Sequence, residues 1–444
     1  MKRSTVITTF LSCLFVAFLA SGPAMADETK VSLEGRLTTQ LHLRNDSDFD
    51  PTDRYYDVDG QTEGQAATFF APRVSIDVPG RARIVYGLEL GWNAWSRNNP
   101  GQPNQFGGSD AAGLMARHKA LYAAWSGDSV SITAGYQELV DPSGLFLDNS
   151  TGAVTLGFGP QTSRLTLIVG QLADTTYEGL DIRSDNFVTD SALAGVTYRR
   201  LISTKIQVDA ALYSLLDNRS IDRPLQLNTA VAGVRVDSDT YQAWAHVVGQ
   251  YGIWTGAAVG GGDQTIAAYA VQLGTRQRIG KLNWGLNLVA LSPDDDDDGN
   301  DAQGAFFGAG KNRSPSVLLS EDEQRDRYDN LDERIGTQWG PFAVNPAGLT
   351  LYDVSLGYEV TSIYKPRLVL AGATNLNPNR AFDARFVGAE VSVLNRFELS
   401  SSTTVYLNAL VFLPGEAAAV FVNDVDRTAT ELLYGGALGL TTRF

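Results

Sequence analysis

The chain contains very little cysteine and histidine. Its 444 residues include one cysteine, Cys13, and three histidines. A single cysteine can form no internal disulfide, and a metal site built on cysteines is excluded as well. Positive charge is also scarce, since 35 Lys and Arg face 50 Asp and Glu and leave a net charge of -15. A nucleic-acid partner is therefore not expected, because binding phosphates requires a clustered basic face.

Long apolar runs are missing beyond the N-terminus. Because no stretch of 18 or more apolar residues occurs there, a membrane protein built from helices is excluded. Glycine, with 44 residues, and the aromatic residues, at 10%, are plentiful, while helix-forming residues do not dominate. Strands are therefore the elements to look for.

The first 26 residues have the features of a secretory signal peptide. Lys2 and Arg3 provide the positive start, residues 10–20 form an apolar core too short to span a bilayer, and residues 24–26 (Ala-Met-Ala) form a small-residue cleavage site. Cys13 lies inside the apolar core, too early for a lipid-modified cysteine. We expect residues 1–26 to be cleaved, which leaves a mature chain without cysteine.

From residue 30 onward, apolar and polar residues alternate in long segments. In residues 404–413 the apolar side chains occupy every second position, and residues 282–290 repeat the pattern with Trp284 on the apolar side and Asn287 opposite. A period of two predicts strands. These segments are longer than ordinary strands and reach the roughly 9–11 residues that a tilted strand needs to cross a bilayer.

We count eighteen such segments, and sixteen stays open because those near Ala153 and Gln226 alternate poorly. They begin near Val31, Gln65, Ala82, Arg117, Val130, Ala153, Arg164, Asp190, Thr204, Gln226, Tyr241, Gln264, Lys281, Leu349, Lys365, Ala384, Thr403 and Glu431.

The connections alternate between short, turn-rich pieces and longer ones. The longer connections are residues 47–64, 97–115, 141–152, 174–190, 218–225, 256–263, 294–347, 377–383 and 415–430. Outer-membrane β-barrels have short periplasmic turns and long extracellular loops on an even number of strands. The sequence therefore predicts an all-β fold: a transmembrane antiparallel up-and-down barrel of the bacterial outer membrane. Residues 27–444 would form this single domain, with both termini periplasmic.

A barrel of sixteen to eighteen strands should enclose water and carry aromatic girdles at both membrane interfaces. Nine aromatic residues near strand ends are predicted girdle residues: Trp92, Trp95, Trp125, Tyr136, Tyr251, Trp254, Tyr358, Tyr364 and Tyr406. The terminal Phe444, after an amphipathic last strand, resembles the signal that the barrel-assembly machinery recognises.

Charge is distributed unevenly between loops and strands. The large extracellular loop 294–347 is strongly acidic, whereas the strands and short turns together are mildly basic. Charged residues in strands must mostly face the lumen, because Arg or Lys facing lipid at the midplane costs roughly 2–4 kcal/mol. The candidate lumen-lining residues are Arg73, Arg83, Glu89, Arg117, Lys119, Arg164, Arg199, Asp209, Arg235, Arg276, Arg278, Asp353, Glu359 and Glu390. Two interpretations stay open: a basic track that favours anions, and a salt-bridged, hydrated wall without strong selectivity.

Two other patterns give weaker predictions. Asp294, Asp296 and Asp298 are spaced like the first ligands of a calcium loop, but the twelfth position is Ala305, so a solvated acidic loop is the simpler interpretation. The histidines, including the mid-strand His246, cannot be matched to a nucleophile, so no enzyme is expected.

Short motifs resemble those of the alginate export family of outer-membrane barrels. Residues 388–393 (GAEVSV) and 412–418 (FLPGEAA) resemble the family's penultimate hairpin, in which Glu390 has a structural role. Residues 135–138 (GYQE) resemble the family's G-R-Q strand end, with Tyr136 in place of the Arg. The resemblance implies eighteen strands, an Arg-lined lumen and passage of an anionic polysaccharide.

The leading hypothesis is a porin-like channel for passive diffusion or export of hydrophilic solutes, anionic carbohydrate-like ones included. It needs no cofactor, and its expected partners are outer-membrane lipid or lipopolysaccharide and the solute. Loop 294–347 is the candidate constriction or lid. The alternative is a surface interaction or adhesion barrel whose acidic loops bind a partner or divalent ions. A sleeve around an electron-transfer protein would need a wider barrel.

Overall fold

The computed structural model describes the strands and parts of the connections between them. The described residues are 29–44, 63–92, 115–172, 191–218, 224–256, 262–294, 302–308, 316, 343–344, 346–381, 383–418 and 432–444. Within these ranges no helix is long and apolar enough to cross a membrane. The predicted signal peptide, residues 1–26, lies outside the described residues.

Eighteen long strands form one closed antiparallel barrel. They are β1 Lys30–Arg44, β2 Glu63–Val78, β3 Ala82–Trp92, β4 Met115–Ser126, β5 Val130–Val140, β6 Asp148–Phe158, β7 Ser163–Leu172, β8 Ser191–Leu201, β9 Ile206–Asp217, β10 Leu225–Asp237, β11 Tyr241–Trp254, β12 Gln264–Ile279, β13 Leu282–Leu291, β14 Leu349–Tyr358, β15 Tyr364–Thr374, β16 Phe386–Glu398, β17 Thr403–Pro414 and β18 Leu433–Arg443. The connection between β13 and β14 adds the short pieces Ala302–Gln303, Phe307–Gly308 and Ala343–Val344, and a 3-10 turn follows β15 at Pro378–Ala381.

The barrel closes between its first and last strands. β1 pairs with β2 on one side and with β18 on the other, starting with Arg36 opposite Arg443. At the seam, Gly35 and Phe444 exchange two backbone hydrogen bonds of 3.0 and 3.1 Å. The Phe444 ring stacks on Phe70 with centroids 5.8 Å apart. Closure gives each strand two partners, as strands in lipid require, because lipid offers no hydrogen bonds.

The predicted count of eighteen strands is confirmed. All strands but one begin within two residues of the predicted start, and the exception is β6, which begins at Asp148 instead of near Ala153. The first four side chains of β6 are polar, so alternation does not reveal this part of the strand. Asp148 and Thr151 are nevertheless buried.

Short and long connections lie at opposite ends of the barrel. The eight short turns share one end with both described termini, and we call it the short-turn end. In the first turn, Gly80 and Arg81 have φ of 90° and 72°. Two successive positive φ values are typical of the tight type I′ turn that joins twisted strands. The nine longer connections join the strands at the opposite, long-connection end.

The outer surface of the barrel is apolar. Large apolar side chains at alternate strand positions are widely exposed, for example Leu212 (60%), Tyr251 (63%) and Leu438 (50%). Apolar patches beyond a few hundred Å² are rare on proteins surrounded by water. A closed antiparallel barrel with such an exterior is the form that spans the bacterial outer membrane.

The prediction of a girdle position is wrong for two residues, because their side chains point into the barrel. Trp254 packs edge-on against Phe307 at 5.6 Å, and Tyr406 is buried and donates a 2.8 Å hydrogen bond to Oε1 of Gln40. Both residues alternate with lipid-facing neighbours. By the same alternation the outer face carries Trp125, Tyr136, Tyr251, Tyr358 and Tyr364. Trp95 and the side chain of Trp92 lie outside the described part.

Candidate functional site: the lumen wall

Basic side chains cover the lumen wall at the short-turn end. We call this set the basic ring: Arg36, Arg73, Arg83, Arg164, Arg199, Arg235, Arg276, Arg278, Lys365, Arg367, Arg396 and Arg443. The described carboxylates that point inward at the same end are Glu34, Asp77, Asp209, Asp237, Glu359 and Glu398. The basic ring thus contains twice as many basic groups as there are carboxylates in this list.

Three arginines of the basic ring, all of them predicted lumen-lining residues, form ion pairs with carboxylates. Nε of Arg83 lies 2.7 Å from Oδ1 of Asp77, and Nε of Arg199 lies 3.2 Å from Oδ1 of Asp209. Arg278 Nη2 lies 2.9 Å from Oε2 of Glu359. Half of each guanidinium side chain is exposed, so these pairs are screened and each stabilises the fold by at most about 1 kcal/mol.

Two further members of the ring, Arg73 and Arg164, have no carboxylate partner among the described residues. Arg73 donates a 3.0 Å hydrogen bond to the Tyr122 hydroxyl. Arg164 donates to the Ser131 hydroxyl and, over 3.3 Å, to the carbonyl of Gly159. In the part of the chain that the structure describes, neither has a carboxylate within ion-pair distance. The ring therefore combines neutralised pairs with uncompensated cations.

Three candidate carboxylates lie nearer the long-connection end and are covered rather than open to the lumen: Glu89 (6% exposed), Asp353 (4%) and Glu390 (1%). Nζ of Lys119 is 3.6 Å from Oε1 of Glu89. Glu390 accepts hydrogen bonds from two hydroxyls, that of Ser316 at 2.7 Å and that of Ser392.

Arg117 lies opposite Glu89 in the β3–β4 register. Its side chain is outside the described part of the structure, so its role as a lumen-lining charge stays a prediction.

The connection between β5 and β6 folds into the barrel. Leu145, Phe146 and Leu147 are almost completely buried, and the Phe146 ring contacts Tyr213 on β9 at 5.4 Å. The sequence pattern predicts this stretch only as a loop. The run of three large apolar residues indicates burial, because such runs are uncommon in loops that are surrounded by water.

Asp141 holds this segment in place. Its Oδ1 accepts hydrogen bonds from the backbone N–H and the hydroxyl of Ser143, and its Oδ2 accepts from the backbone N–H groups of Phe146 and Leu147, at 2.5–3.0 Å. Burial raises the pKa of Asp141, and these hydrogen bonds offset part of the increase because they favour the charged form.

A second inward segment, residues 302–308, comes from the predicted constriction loop. Gln250 on β11 clamps it: Gln250 Nε2 donates to the carbonyl of Phe307 at 2.7 Å, and the Phe307 N–H donates to Gln250 Oε1 at 2.9 Å. Ser292 adds a hydrogen bond to the carbonyl of Gly304 at 2.6 Å. Apart from this segment, Ser316 and short pieces at its ends, loop 294–347 lies outside the described residues.

The two inward segments join one apolar cluster with the strand ends behind them. Phe146, Phe307, Leu215, Leu227 and Ile266 are all buried in it. The inward side chains toward the long-connection end thus include this apolar cluster, whereas those toward the short-turn end are mostly charged, with basic groups in excess. A solute on the axis would pass the margin of the apolar cluster and then the basic ring.

Two of the histidines and the first residue of the calcium pattern lie among the described side chains. Nδ1 of His246 lies 3.0 Å from Oε1 of Gln272 on the lumen wall, and His118 faces outward beside Tyr86. Asp294 is buried and accepts a 3.3 Å hydrogen bond from Gly304 N–H, while Asp296 and Asp298 lie outside the described residues. No group of three metal-binding side chains occurs among the residues described.

Comparison with known proteins places this architecture among solved barrels. OccK9 (OpdG) of Pseudomonas aeruginosa superposes with a TM-score of 0.57 at 13% identity, over 94% of this chain and 98% of that one. This chain has the fold of the outer-membrane porins. OpdK of Pseudomonas aeruginosa matches the porin fold with a TM-score of 0.54 at 13% identity, over 93% and 98% of the two chains. OccAB4 of Acinetobacter baumannii gives 0.53 at 10% identity, over 95% and 100%.

At these identities the likeness concerns the porin fold alone. No family model matches the sequence, and no curated protein matches it. The coarse resemblance to outer-membrane barrels of eighteen strands is confirmed. The specific resemblance to the alginate export family stays a prediction.

Proposed function

We propose that the protein is a passive outer-membrane channel that prefers small hydrophilic anions. The basic ring is the observation that carries this proposal. It lines the lumen with exposed guanidinium groups, several of which lack a carboxylate partner in the described part of the chain. Fixed positive charge lowers the barrier for anions and raises it for cations.

The inward segments restrict the size of the solute. Residues 143–147 and 305–308 are buried and take up space inside the barrel near the long-connection end. The remaining passage suits small or linear solutes rather than folded proteins. Sugar acids and other carboxylate-bearing compounds fit both this width and the charge of the basic ring. The resemblance to alginate-exporting barrels is a second, independent reason to propose a carbohydrate-like solute.

The test is single-channel recording in planar bilayers. Purified protein should give discrete conductance steps, and its reversal potential in a KCl gradient should show preference for chloride. Arg73→Gln should shift that potential toward the cation side, because Arg73 is an exposed cation of the ring. Arg200→Gln is the matched control: Arg200 follows Arg199 on β8 and points outward, so its loss should leave the potential unchanged.

Two results would overturn the proposal. A silent bilayer, with heat-modifiable gel mobility showing that the barrel is folded, would favour a barrel that serves as a mount for surface interactions. Cation preference in the unmodified protein would refute the role of the basic ring while leaving a channel in place.

A further inference from the structure

One patch of the lumen wall combines a glycine, an indole ring and two arginines. Arg235 on β10, Trp244 on β11 and Gly274 on β12 are direct cross-strand neighbours, and all three point inward. A Cβ atom at Gly274 would lie 2.1 Å from Cζ2 of Trp244. The indole therefore lies flat over the backbone of Gly274, which only glycine permits.

The same arrangement is repeated one step along the wall. A Cβ atom at Gly233 on β10 would lie 2.1 Å from Cδ2 of His246. Trp244 and His246 of β11 thus both rest on glycines of neighbouring strands. Arg235 and Arg276 beside these rings are both exposed, so a solute in the lumen can reach them.

Trp244 positions the cation that follows Gly274. The Cζ atom of Arg276 lies over the indole, 5.3 Å from the ring centroid, an arrangement in which the ring face attracts the guanidinium. Arg235 flanks Trp244 on the other side. From the spacing of strands and the rise along them, the backbones of the two arginines are about 12 Å apart. Each side chain is long enough to reach a ligand between them.

Neighbouring carboxylates are engaged elsewhere. Asp237 accepts a 3.0 Å hydrogen bond from Gln242 Nε2. Asp209 binds Arg199, as described above, and accepts from Gln207 Nε2 at 2.7 Å. Within the described residues, no carboxylate lies within 4 Å of Arg235 or Arg276, so both guanidinium groups keep donors for a ligand.

We infer that Arg235 and Arg276, held on either side of Trp244, form an oxyanion-binding subsite on the lumen wall. This inference rests on the channel function proposed above and adds a defined site at which the anion binds during its passage. A guanidinium fork matches the two oxygens of a carboxylate or a phosphate. Two such groups suit one bridging oxyanion or a dianion that spans them.

The experiment measures how succinate and, separately, inorganic phosphate reduce the chloride current of single channels. Block by succinate alone assigns the site to carboxylates, block by phosphate alone assigns it to phosphates, and block by both assigns it to oxyanions in general. Absence of block by either ion in a conducting, anion-preferring channel overturns the subsite and leaves the proposed function intact.

Variants then locate the site. Arg235→Gln and Arg276→Gln should each weaken the block about tenfold or more, because each removes charge-assisted hydrogen bonds. Arg443→Gln is the matched control, since Arg443 belongs to the basic ring on β18 and removes the same charge elsewhere. Equal weakening by all three variants would mean that the field of the ring, and not a subsite, attracts the blocker.

The packing of Trp244 on Gly274, which we call the glycine seat, gives an independent check. Gly274→Ala should force Trp244 off the wall, weaken the block and lower the conductance, and adding Trp244→Ala should restore the conductance. Gly249→Ala is the control, because a Cβ atom there meets nothing within 4 Å. If Gly274→Ala changes neither block nor conductance in a folded barrel, the proposed seat is refuted.

Discussion

Replacing Gln250 by Leu tests whether residues 302–308 are held inside the barrel by side-chain hydrogen bonds. Gln250 is 5% exposed, and Phe307, whose backbone it clamps, is 1% exposed. In Gln250→Leu the N–H and the C=O of Phe307 both lose their described partner without gaining water. Each unsatisfied buried group costs about 1–3 kcal/mol. The free energy of opening the segment should therefore fall by about 2–5 kcal/mol, which raises the population of the open segment roughly thirtyfold or more.

A thiol reporter measures this opening. Cys13 is in the predicted signal peptide, so the mature chain offers no competing thiol. Ala305→Cys places a cysteine at a position that is 0% exposed, and a water-soluble maleimide should label it only when the segment opens. Adding Gln250→Leu should raise the labelling rate at least thirtyfold.

Gln272→Leu is the matched control for this measurement. Gln272 is also a buried glutamine on the lumen wall, but its hydrogen bond goes to His246 and not to the inward segment. Labelling should stay slow in this variant. Equal labelling rates in the Gln250 and Gln272 variants, with both barrels folded, would refute the clamp.

The other inward segment and the barrel seam give further predictions. Asp141→Ala removes the acceptor of four hydrogen bonds and should speed labelling of Leu145→Cys at least tenfold; an unchanged rate would contradict the role of Asp141. Opening returns the raised pKa of Asp141 toward its ordinary value of 3.8. The packed segment is then most stable below that pH and loses stability as pH rises through the raised pKa. Its amides, corrected for intrinsic exchange, should be better protected at pH ~4 than at pH ~7; the opposite order would refute this. Gly35→Leu should destabilise the closed barrel by about 1–3 kcal/mol in denaturant unfolding, because a Cβ atom there would lie 2.4 Å from Phe444. Gly152→Leu, with open space around Gly152, should not.

The number of strands and their lipid-facing sides follow from local sequence pattern. In β17 the residues Val405, Leu407 and Val411 alternate with polar or inward ones, and a period of two needs no knowledge of the partner strand. The same pattern places Arg235 and Arg276 on the inner face, since the lipid side excludes charge. The alternation of short and long connections also shows at which end of the barrel each strand begins.

The pattern fails where a loop packs inside the barrel. Trp254 and Tyr406 were assigned to the outer girdles because aromatic residues near strand ends suit either an interface or a packed interior. Once the inner face of a strand end is covered by apolar side chains, both faces are apolar and the alternation no longer distinguishes them. In β10 the alternation is inverted, because Leu225 and Leu227 are buried inside the barrel while the polar Gln226 and Asn228 are exposed, and this made the strand hard to recognise.

The sequence by itself therefore determined the barrel, its strand number and the inward direction of its charges, because these depend on alternation between neighbouring residues. Only the tertiary structure decided which charges meet, such as Arg278 and Glu359, which are 81 residues apart. It also decided that residues 141–147 and 302–308 fill part of the lumen and that Trp244 rests on Gly274. Such contacts depend on the closure and register of distant strands, which no local pattern encodes.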